Sequence, residues 1–258
     1  MISGNMLLVE RHRKIVEAVN RSTSLRVTEL AGMFGVTEET IRRDLEKLQE
    51  QGMLVRSHGG AVALTDTSFE VHHTAREARA QAEKSAIARE ALKRIRNDDT
   101  IIMDSSSTVF LLSKLIPDMR LTVITNSVQV AMELSTRPLI RVIGIGGTLM
   151  ASSLSYVGPL AEKCLADYHV KKAFLSCKGF TMQDGISESN ELQAILKAKM
   201  LEHSDERYLL VDGSKVGQKS LSVWAQAQLM TEVITDVSAL LPALEGLKKA
   251  GVRLTVAA

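Results

Sequence analysis

Aromatic side chains make up 3% of this 258-residue chain, too few to supply the stacking platforms on which binders of single-stranded nucleic acid rely. There are two cysteines, Cys164 and Cys177. They fit no CxxC pattern, so they read as buried thiols of a reducing cytoplasm rather than as a disulfide or zinc framework. The six histidines are scattered, and the neighbours His72 and His73 point apart along any regular backbone, so no metal site is expected. No run approaches the roughly 18 uncharged apolar residues of a membrane span. Met6-Leu7-Leu8-Val9 is too short for a signal peptide, which places the protein in the cytoplasm without a membrane partner. Neither sign of charge dominates: the whole chain is +2, and residues 1–62 hold nine Lys/Arg against eight acids. Such a balance excludes a blanket nonspecific nucleic-acid binder and suits a protein that places a few cations locally. No GxxxxGK[ST] is present and no GxGxxG follows a strand, so nucleotide hydrolysis, dinucleotide binding and a resident cofactor are not expected.

What is present begins with composition. At 45% apolar, the chain can hold a small domain of roughly 60 residues and a larger one with a full core. The most informative stretch is Val36-Thr37-Glu38-Glu39-Thr40-Ile41-Arg42-Arg43-Asp44-Leu45-Glu46-Lys47-Leu48. Thr37 can accept a hydrogen bond from a first-turn amide, and Glu38 and Glu39 oppose the positive end of the helix dipole. Ile41, Leu45 and Leu48 recur at helical spacing and face a core, which leaves Thr40, Arg42, Arg43 and Lys47 on other faces. Upstream, Val27-Thr28-Glu29-Leu30-Ala31-Gly32-Met33-Phe34-Gly35 reads as a short helix ended by glycine. Helix, glycine turn and helix with exposed Thr and Arg near its start is an arrangement that lays a helix in a major groove. It is also that of an ordinary helical hairpin with a solvated face. Gln51-Gly52 stops the second helix, and residues 53–62 read as two short strands about a turn holding Arg56, His58 and Gly59-Gly60. This is the wing of a winged helix, whose basic tip would touch phosphates or a minor groove. A leading helix over residues 7–20 places Leu8, Ile15, Val16 and Val19 to close a three-helix core.

Glu10-Arg11-His12-Arg13-Lys14-Ile15, the helix pair, Thr40-Ile41-Arg42-Arg43-Asp44-Leu45 and the Arg56-Ser57-His58-Gly59-Gly60-Ala61 wing together resemble the DeoR-type winged helix-turn-helix of bacterial sugar-catabolism regulators. The resemblance implies duplex operator DNA as partner, with contacts from Thr37, Glu38, Thr40, Arg42, Arg43, Lys47, Arg56 and His58. Both periodicities break near residues 64–76, so a reader domain over 6–63, a linker over 64–76 and a second domain over 77–258 are expected. From 77 to 95, Ala82, Ile87, Ala91, Leu92 and Ile95 read as an amphipathic helix. It is a packing helix of the second domain and, by the resemblance, a link from reader to sensor and a candidate oligomer contact.

Beyond residue 97, short apolar runs alternate with helical patterns. Strands are expected at 100–103, 121–124, 140–144, 172–176, 208–211, 233–235 and 252–256. Helices are expected at 109–116, 128–135, 160–168, 191–203 and 242–250. Strands separated by helices imply right-handed crossovers and a mostly parallel α/β sheet, with ligands beyond the carboxyl ends of its strands. The loops at those ends share a small, polar, donor-rich character: Asp104-Ser105-Ser106-Ser107-Thr108, Thr125-Asn126-Ser127, Gly146-Gly147-Thr148, Lys178-Gly179 with Asp184 to Glu191, and Asp212-Gly213-Ser214-Lys215. The first runs straight into a helix, where successive amides and hydroxyls make an anion cradle. Each loop alone also has a plain structural use, since Ser, Thr and Asp cap helices and Gly makes turns.

The loop set resembles the DeoR C-terminal sensor domain, whose fold is related to ribose-5-phosphate isomerase. That likeness implies a phosphorylated sugar or sugar-derived effector. By it, Asp104, Ser105, Ser106, Ser107 and Thr108 would cradle the phosphate and Lys215 would neutralise it. Asn126, Glu188, Asn190 and Glu191 would meet hydroxyls, with Gly147, Lys178 and Asp212 on the same edge. Many relatives carry glycine inside the first loop, where this chain has Ser-Ser-Ser-Thr. The expected protein is a DNA-binding regulator with no catalytic residues, a repressor of a carbohydrate operon modulated by its effector. It is expected to act as a homo-oligomer, dimer or tetramer, because doubling the reader multiplies its selectivity. An isomerase-like enzyme using Glu188 or Glu191 and Lys215 is the alternative, and a nonspecific architectural protein is disfavoured by the charge balance.

Overall fold

The computed structural model describes residues 8–22, 24–50, 53–57, 59–62, 80–239 and 241–258. The chain divides into two compact units, Met1–Arg79 and Ala80–Ala258. The linker expected over 64–76 lies outside the described residues. Among the described residues no helix is long and apolar enough to cross a membrane.

The first unit is a helical trio with a three-stranded sheet. Its elements are α1 (Leu8–Ser22), β1 (Ser24–Arg26), α2 (Val27–Phe34), α3 (Glu38–Glu50), β2 (Val55–Ser57) and β3 (Gly60–Val62). The apolar stripes meet as expected: Ile15, Val19, Leu30, Ile41, Leu45 and Leu48 are buried in one cluster, with Val16 packed against it. Leu8, expected in this core, is instead 44% exposed. It sits at the first residue of α1, and an apolar period run to a helix end meets no partner there. Gly35 ends α2 in the left-handed conformation at φ 64°, which a Cβ would resist. β1 pairs with β3 and is a strand that the sequence reading did not anticipate. It makes β3 the centre of the sheet in the order β1-β3-β2. A Cβ on Gly60 would lie 2.3 Å from the Leu25 carbonyl oxygen, so this close approach of β3 to β1 requires glycine.

The second unit is an α/β sandwich. α4 (Gln81–Leu92) precedes a seven-stranded sheet built from β4 (Thr100–Met103), β5 (Leu121–Thr125), β6 (Ile140–Gly144), β9 (Val170–Leu175), β12 (Ser204–Leu210), β14 (Glu232–Asp236) and β15 (Arg253–Ala257). The order is β15-β14-β12-β9-β4-β5-β6, and every neighbouring pair is parallel. Side chains alternate between faces. Ile101, Met103, Val123, Phe174, Tyr208 and Ile234 pack with α4, α5 (Ser107–Leu115) and α6 (Val128–Leu134). Ile102, Ile124, Ala173, Leu175, Leu209 and Val233 pack with α7 (Pro159–Ala166) and α8 (Glu191–Glu202) on the other face. Burial on both faces explains why the strands read as continuous apolar runs. The helix expected over 242–250 is broken into a 3₁₀ turn, Leu241–Leu244, and a short α9 (Gly246–Lys249).

The chain runs outward from β4 to β5 and β6, returns to β9 beside β4, then runs outward again through β12, β14 and β15. The direction reverses between β4 and β9, so this is the crevice where open parallel sheets take ligands. Short antiparallel pieces gather in the connections after β6, β9 and β12: the hairpin of β7 (Thr148–Met150) and β8 (Ser155–Val157), and the sheet of β10 (Gly179–Thr181), β11 (Gly185–Glu188) and β13 (Ser222–Ala225). Strands of three or four residues are too brief to establish a period of two, so the sequence alone predicts no strand in these segments.

Candidate functional site

Two faces, one in each unit, hold the residues that the sequence singled out. In the first unit, the Thr37 hydroxyl accepts the Thr40 amide at 3.2 Å and so caps α3. Beyond that cap the exposed face carries Glu38, Glu39, Arg42, Arg43 and Lys47. Arg42 is held by Glu38 at 2.8 Å, and Arg43 by Glu39 at 3.3 Å. Arg56, on β2, is exposed within 3.5 Å of Glu46, and its amide is fixed by the Gln49 side chain at 2.9 Å. His58 lies outside the described residues. The arginines are thus oriented by partners that water screens well, so each guanidinium can be re-paired with another hydrogen-bond acceptor at little cost. Beneath them, the buried Asp44 carboxylate takes a bidentate Arg11 guanidinium at 2.7 and 3.2 Å and the His12 ring at 3.0 Å. The hydrogen bond to Asp44 raises the Arg11 pKa against the opposing effect of burial. This network joins α1 to α3.

In the second unit, the loops at the carboxyl ends of the strands converge on the crevice between β4 and β9. Asp104 is buried. Its Oδ1 accepts the Ser106 amide at 2.9 Å, and its Oδ2 accepts the Ser176 amide across the crevice at 2.9 Å. Ser106 caps α5 by accepting the Val109 amide at 3.2 Å. Helix geometry leaves the Ser107 and Thr108 amides without intrahelical acceptors, facing outward at the positive end of the dipole. Ser105, Ser107 and Thr108 are all buried.

Lys215, on a single 3₁₀ turn after β12, reaches Asp212 at 3.2 Å and the Ser176 hydroxyl at 3.4 Å. β9 lies between β12 and β4, so the Lys215 loop adjoins the Ser176 loop. Burial would raise the Asp212 pKa. The Lys215 charge, the Ser214 hydroxyl and the Lys84 charge outweigh it and hold the carboxyl below its usual range.

Other named residues have local duties as well. Asn126 donates through Nδ2 to the Tyr156 carbonyl at 3.0 Å. Asn190 Oδ1 accepts the Gln193 amide at 3.1 Å and caps α8. Glu191 is exposed in the first turn of that helix, and Lys178 is half-buried. Gly147 adopts φ 147°, where a Cβ would meet the Val157 carbonyl at 2.7 Å.

Two lysines belong to this edge that the sequence reading missed. Lys197, in the middle of α8, is buried. It pairs with Asp104 at 3.0 Å, pairs with Glu188, and donates to the Ser176 carbonyl at 2.6 Å. Burial alone would lower its pKa, but the Asp104 and Glu188 charges hold it above its ordinary value. The signal was there: Gln193 and Lys197, four apart, fall on the same buried face as Ala194, Leu196, Met200 and Leu201. Lys84 likewise occupies a buried position on α4 one turn before Ile87, whereas Ala82, expected there, is exposed. Cys177 sits beside this cluster, its thiol pushed up to about 12 by burial, and is inert at neutral pH. Among the described residues no group of three or more His, Cys, Asp or Glu is placed to hold a metal.

Among the described residues, the buried side-chain polar atoms without a hydrogen-bond partner are Thr108 Oγ1, Asn126 Oδ1, Gln129 Oε1, Ser189 Oγ, Trp224 Nε1, Thr235 Oγ1 and Asp212 Oδ2. The last has its ion pair with Lys215. Asn126 follows directly on β5 and Asp212 stands just beyond β12, Thr108 and Gln129 lie in the first turns of α5 and α6 that follow β4 and β5, Ser189 follows β11 of the small antiparallel sheet, and Thr235 is one residue from the end of β14.

Residues 79–237 match the family described as the DeoR C terminal sensor domain, and residues 11–67 match the DeoR-like helix-turn-helix domain. The chain is 52% identical over 231 residues to the uncharacterized HTH-type transcriptional regulator YulB of Bacillus subtilis (strain 168), covering 90% of each. It is 36% identical to an L-fucose operon activator of Haemophilus influenzae, covering 88% of this chain and 92% of that one. It is 31% identical to a putative aga operon transcriptional repressor of Escherichia coli O157:H7, covering 95% and 92%. Among solved structures, the chain is similar to ribose 5-phosphate isomerase A from Methanocaldococcus jannaschii, at 17% identity and a TM-score of 0.40, covering 52% of this chain and 54% of that one. The relatives are described as transcriptional regulators, which sets aside the isomerase alternative.

Proposed function

The chain belongs to the DeoR family of DNA-binding transcriptional regulators, and from this we propose that it represses a carbohydrate-utilisation operon and is released by a phosphorylated sugar held at the carboxyl edge of its seven-stranded sheet. One observation carries the effector reading. Among the described residues, Thr108, Asn126, Gln129 and Asp212 each carry a buried polar side-chain atom without a hydrogen-bond partner, and all four stand at or shortly after the carboxyl ends of β4, β5 and β12. Each such atom costs about 1–3 kcal/mol if it stays unsatisfied, so a fold that concentrates them in one crevice is built for a polar occupant. The phosphate takes the Ser107 and Thr108 amides at the start of α5, with Lys215 as counter-charge. Glu188, Asn126 and Asp212 face the hydroxyls.

The reader is α3 with the β2–β3 wing, and Thr37, Glu38, Thr40, Arg42, Arg43, Lys47, Arg56 and His58 make its DNA contacts. Two or more copies bind repeated half-sites. Effector binding alters how the copies are presented, with a coupling of about 1–3 kcal/mol. Relatives with printed roles as activator and as repressor both occur, so the sign of regulation is tested together with the ligand. Operator retention is measured against sugar phosphates and their unphosphorylated counterparts. Release by phosphorylated sugars alone supports the proposal. Indifference to every phosphorylated sugar, or tighter binding with one, defeats the inducer-released repressor.

A further inference from the structure

β13 carries a bulge against β11. Ala225 faces Ile186 and Val223 faces Ser187, so one step on β11 spans two on β13, and Trp224 has no partner across the ladder. A bulge interrupts the alternation of a strand and re-aims the residue it holds. Here Trp224 and Ala225, adjacent in sequence, are both buried, while Val223 is exposed. The Lys197 ammonium stands 5.8 Å from the centroid of the indole, and the same ammonium pairs with Asp104 and Glu188. Trp224 is 7% exposed, yet among the described residues no acceptor reaches its Nε1. A buried indole N–H ordinarily finds a partner.

We infer that Trp224 is an effector-contacting residue, donating its indole N–H to an oxygen of the sugar portion of the ligand. This rests on the reading of the sheet edge as the effector site. A sugar supplies both things the position asks for: a hydroxyl or carbonyl oxygen with a free lone pair, and a C–H face that packs on an aromatic ring. The Lys197 charge is already balanced by two carboxylates, so this corner does not call for the phosphate. It suits the neutral, hydroxyl-bearing part of the molecule.

Trp224 is the single tryptophan of the chain, so emission from the full-length wild-type protein reports on this residue alone. Titration uses a panel of pentose and hexose phosphates, with inorganic phosphate and the free sugars alongside, and calorimetry on the same samples. A sugar phosphate that binds by calorimetry is expected to change the emission, and inorganic phosphate is not. Trp224→Phe, which keeps an aromatic ring without the N–H, is expected to bind that ligand about three- to tenfold more weakly. If this variant does not fold, the wild-type emission decides. A sugar phosphate that binds the wild type and leaves its emission unchanged overturns the inference while the sheet-edge reading stands. So does equal affinity in a folded Trp224→Phe. If no sugar phosphate binds the wild type, the sheet-edge reading fails and this inference fails with it.

Discussion

Lys197 Nζ lies 3.0 Å from Asp104 Oδ2, so an ammonium from the middle of α8 neutralises the carboxylate that opens the loop after β4. The same carboxylate accepts the Ser176 amide from the loop after β9, and Lys197 donates to the Ser176 carbonyl. The two loops on either side of the crevice are therefore held by one buried cluster. A buried ion pair adds little over an apolar substitute, but it is costly to break from one side. That cost is what fixes the crevice geometry.

Lys197→Met keeps the bulk of the side chain and removes its charge, leaving Asp104 and Glu188 buried without their cation. The sensor unit is expected to lose about 3–5 kcal/mol, measured by urea unfolding. The Lys197 pKa is raised in the folded protein, so its contribution is complete below the unfolded value of about 10.4 and is lost only as pH rises through the higher folded value. The wild-type contribution of this lysine should accordingly not fade between about pH 7 and pH 9. A wild-type protein that loses its advantage over the variant in that interval would contradict the raised pKa.

The recognition helix was legible because its signals are local. The Thr37 cap, the Gly35 stop and the Ile41, Leu45 and Leu48 stripe all lie within a few turns, and all three are present. The parallel strands were legible because burial on both faces makes them continuous apolar runs. Lys197 and Lys84 were not, since a lysine in a helical pattern reads as solvent-facing. For Lys197, the carboxylate that permits burial comes from Asp104, far away in sequence. β1 and the β13 bulge were missed for a related reason. Three residues carry no period, and a bulge is defined only against its partner strand.

Arg43 is 74% exposed at its side chain and pairs with the likewise solvated Glu39 at 3.3 Å. Arg43→Ala is expected to leave thermal unfolding unchanged and to weaken specific operator binding by about 1–3 kcal/mol. Releasing Arg43 from Glu39 costs little, because both are solvated. Footprinting that shows protection at wild-type concentrations would remove Arg43 from the reading surface.

Asp44→Asn preserves volume but deprives Arg11 and His12 of their shared carboxylate. The winged-helix unit is expected to lose about 1–3 kcal/mol, seen as a lower-temperature transition for that unit by calorimetry, with the sensor transition unmoved. Equal unfolding temperatures in variant and wild type would mean that the buried carboxylate does not tie α1 to α3 energetically.

Lys215→Ala tests the phosphate counter-charge and the stability of the edge together. The side chain is 18% exposed and already paired with Asp212 at 3.2 Å, so it is positioned before the ligand arrives and loses little entropy on binding. Removing a charge-assisted hydrogen bond to phosphate costs about 1.5–3 kcal/mol, so the cognate sugar phosphate should bind some ten- to a hundredfold more weakly by calorimetry. The winged helix has its own core, and a repressor carrying this variant should stay on its operator when the effector is added. The acid limb gives a second readout. Burial acts to raise the Asp212 pKa, but Lys215 and the other partners hold it lowered overall. Asp212 thus stabilises the fold above the unfolded value of about 3.9, and this contribution is lost as pH falls through the lower folded value. Without Lys215 the loss begins at higher pH, and the acid-unfolding midpoint followed by circular dichroism should rise. A shifted acid midpoint with unchanged sugar-phosphate affinity would make Lys215 the structural partner of Asp212 and nothing more.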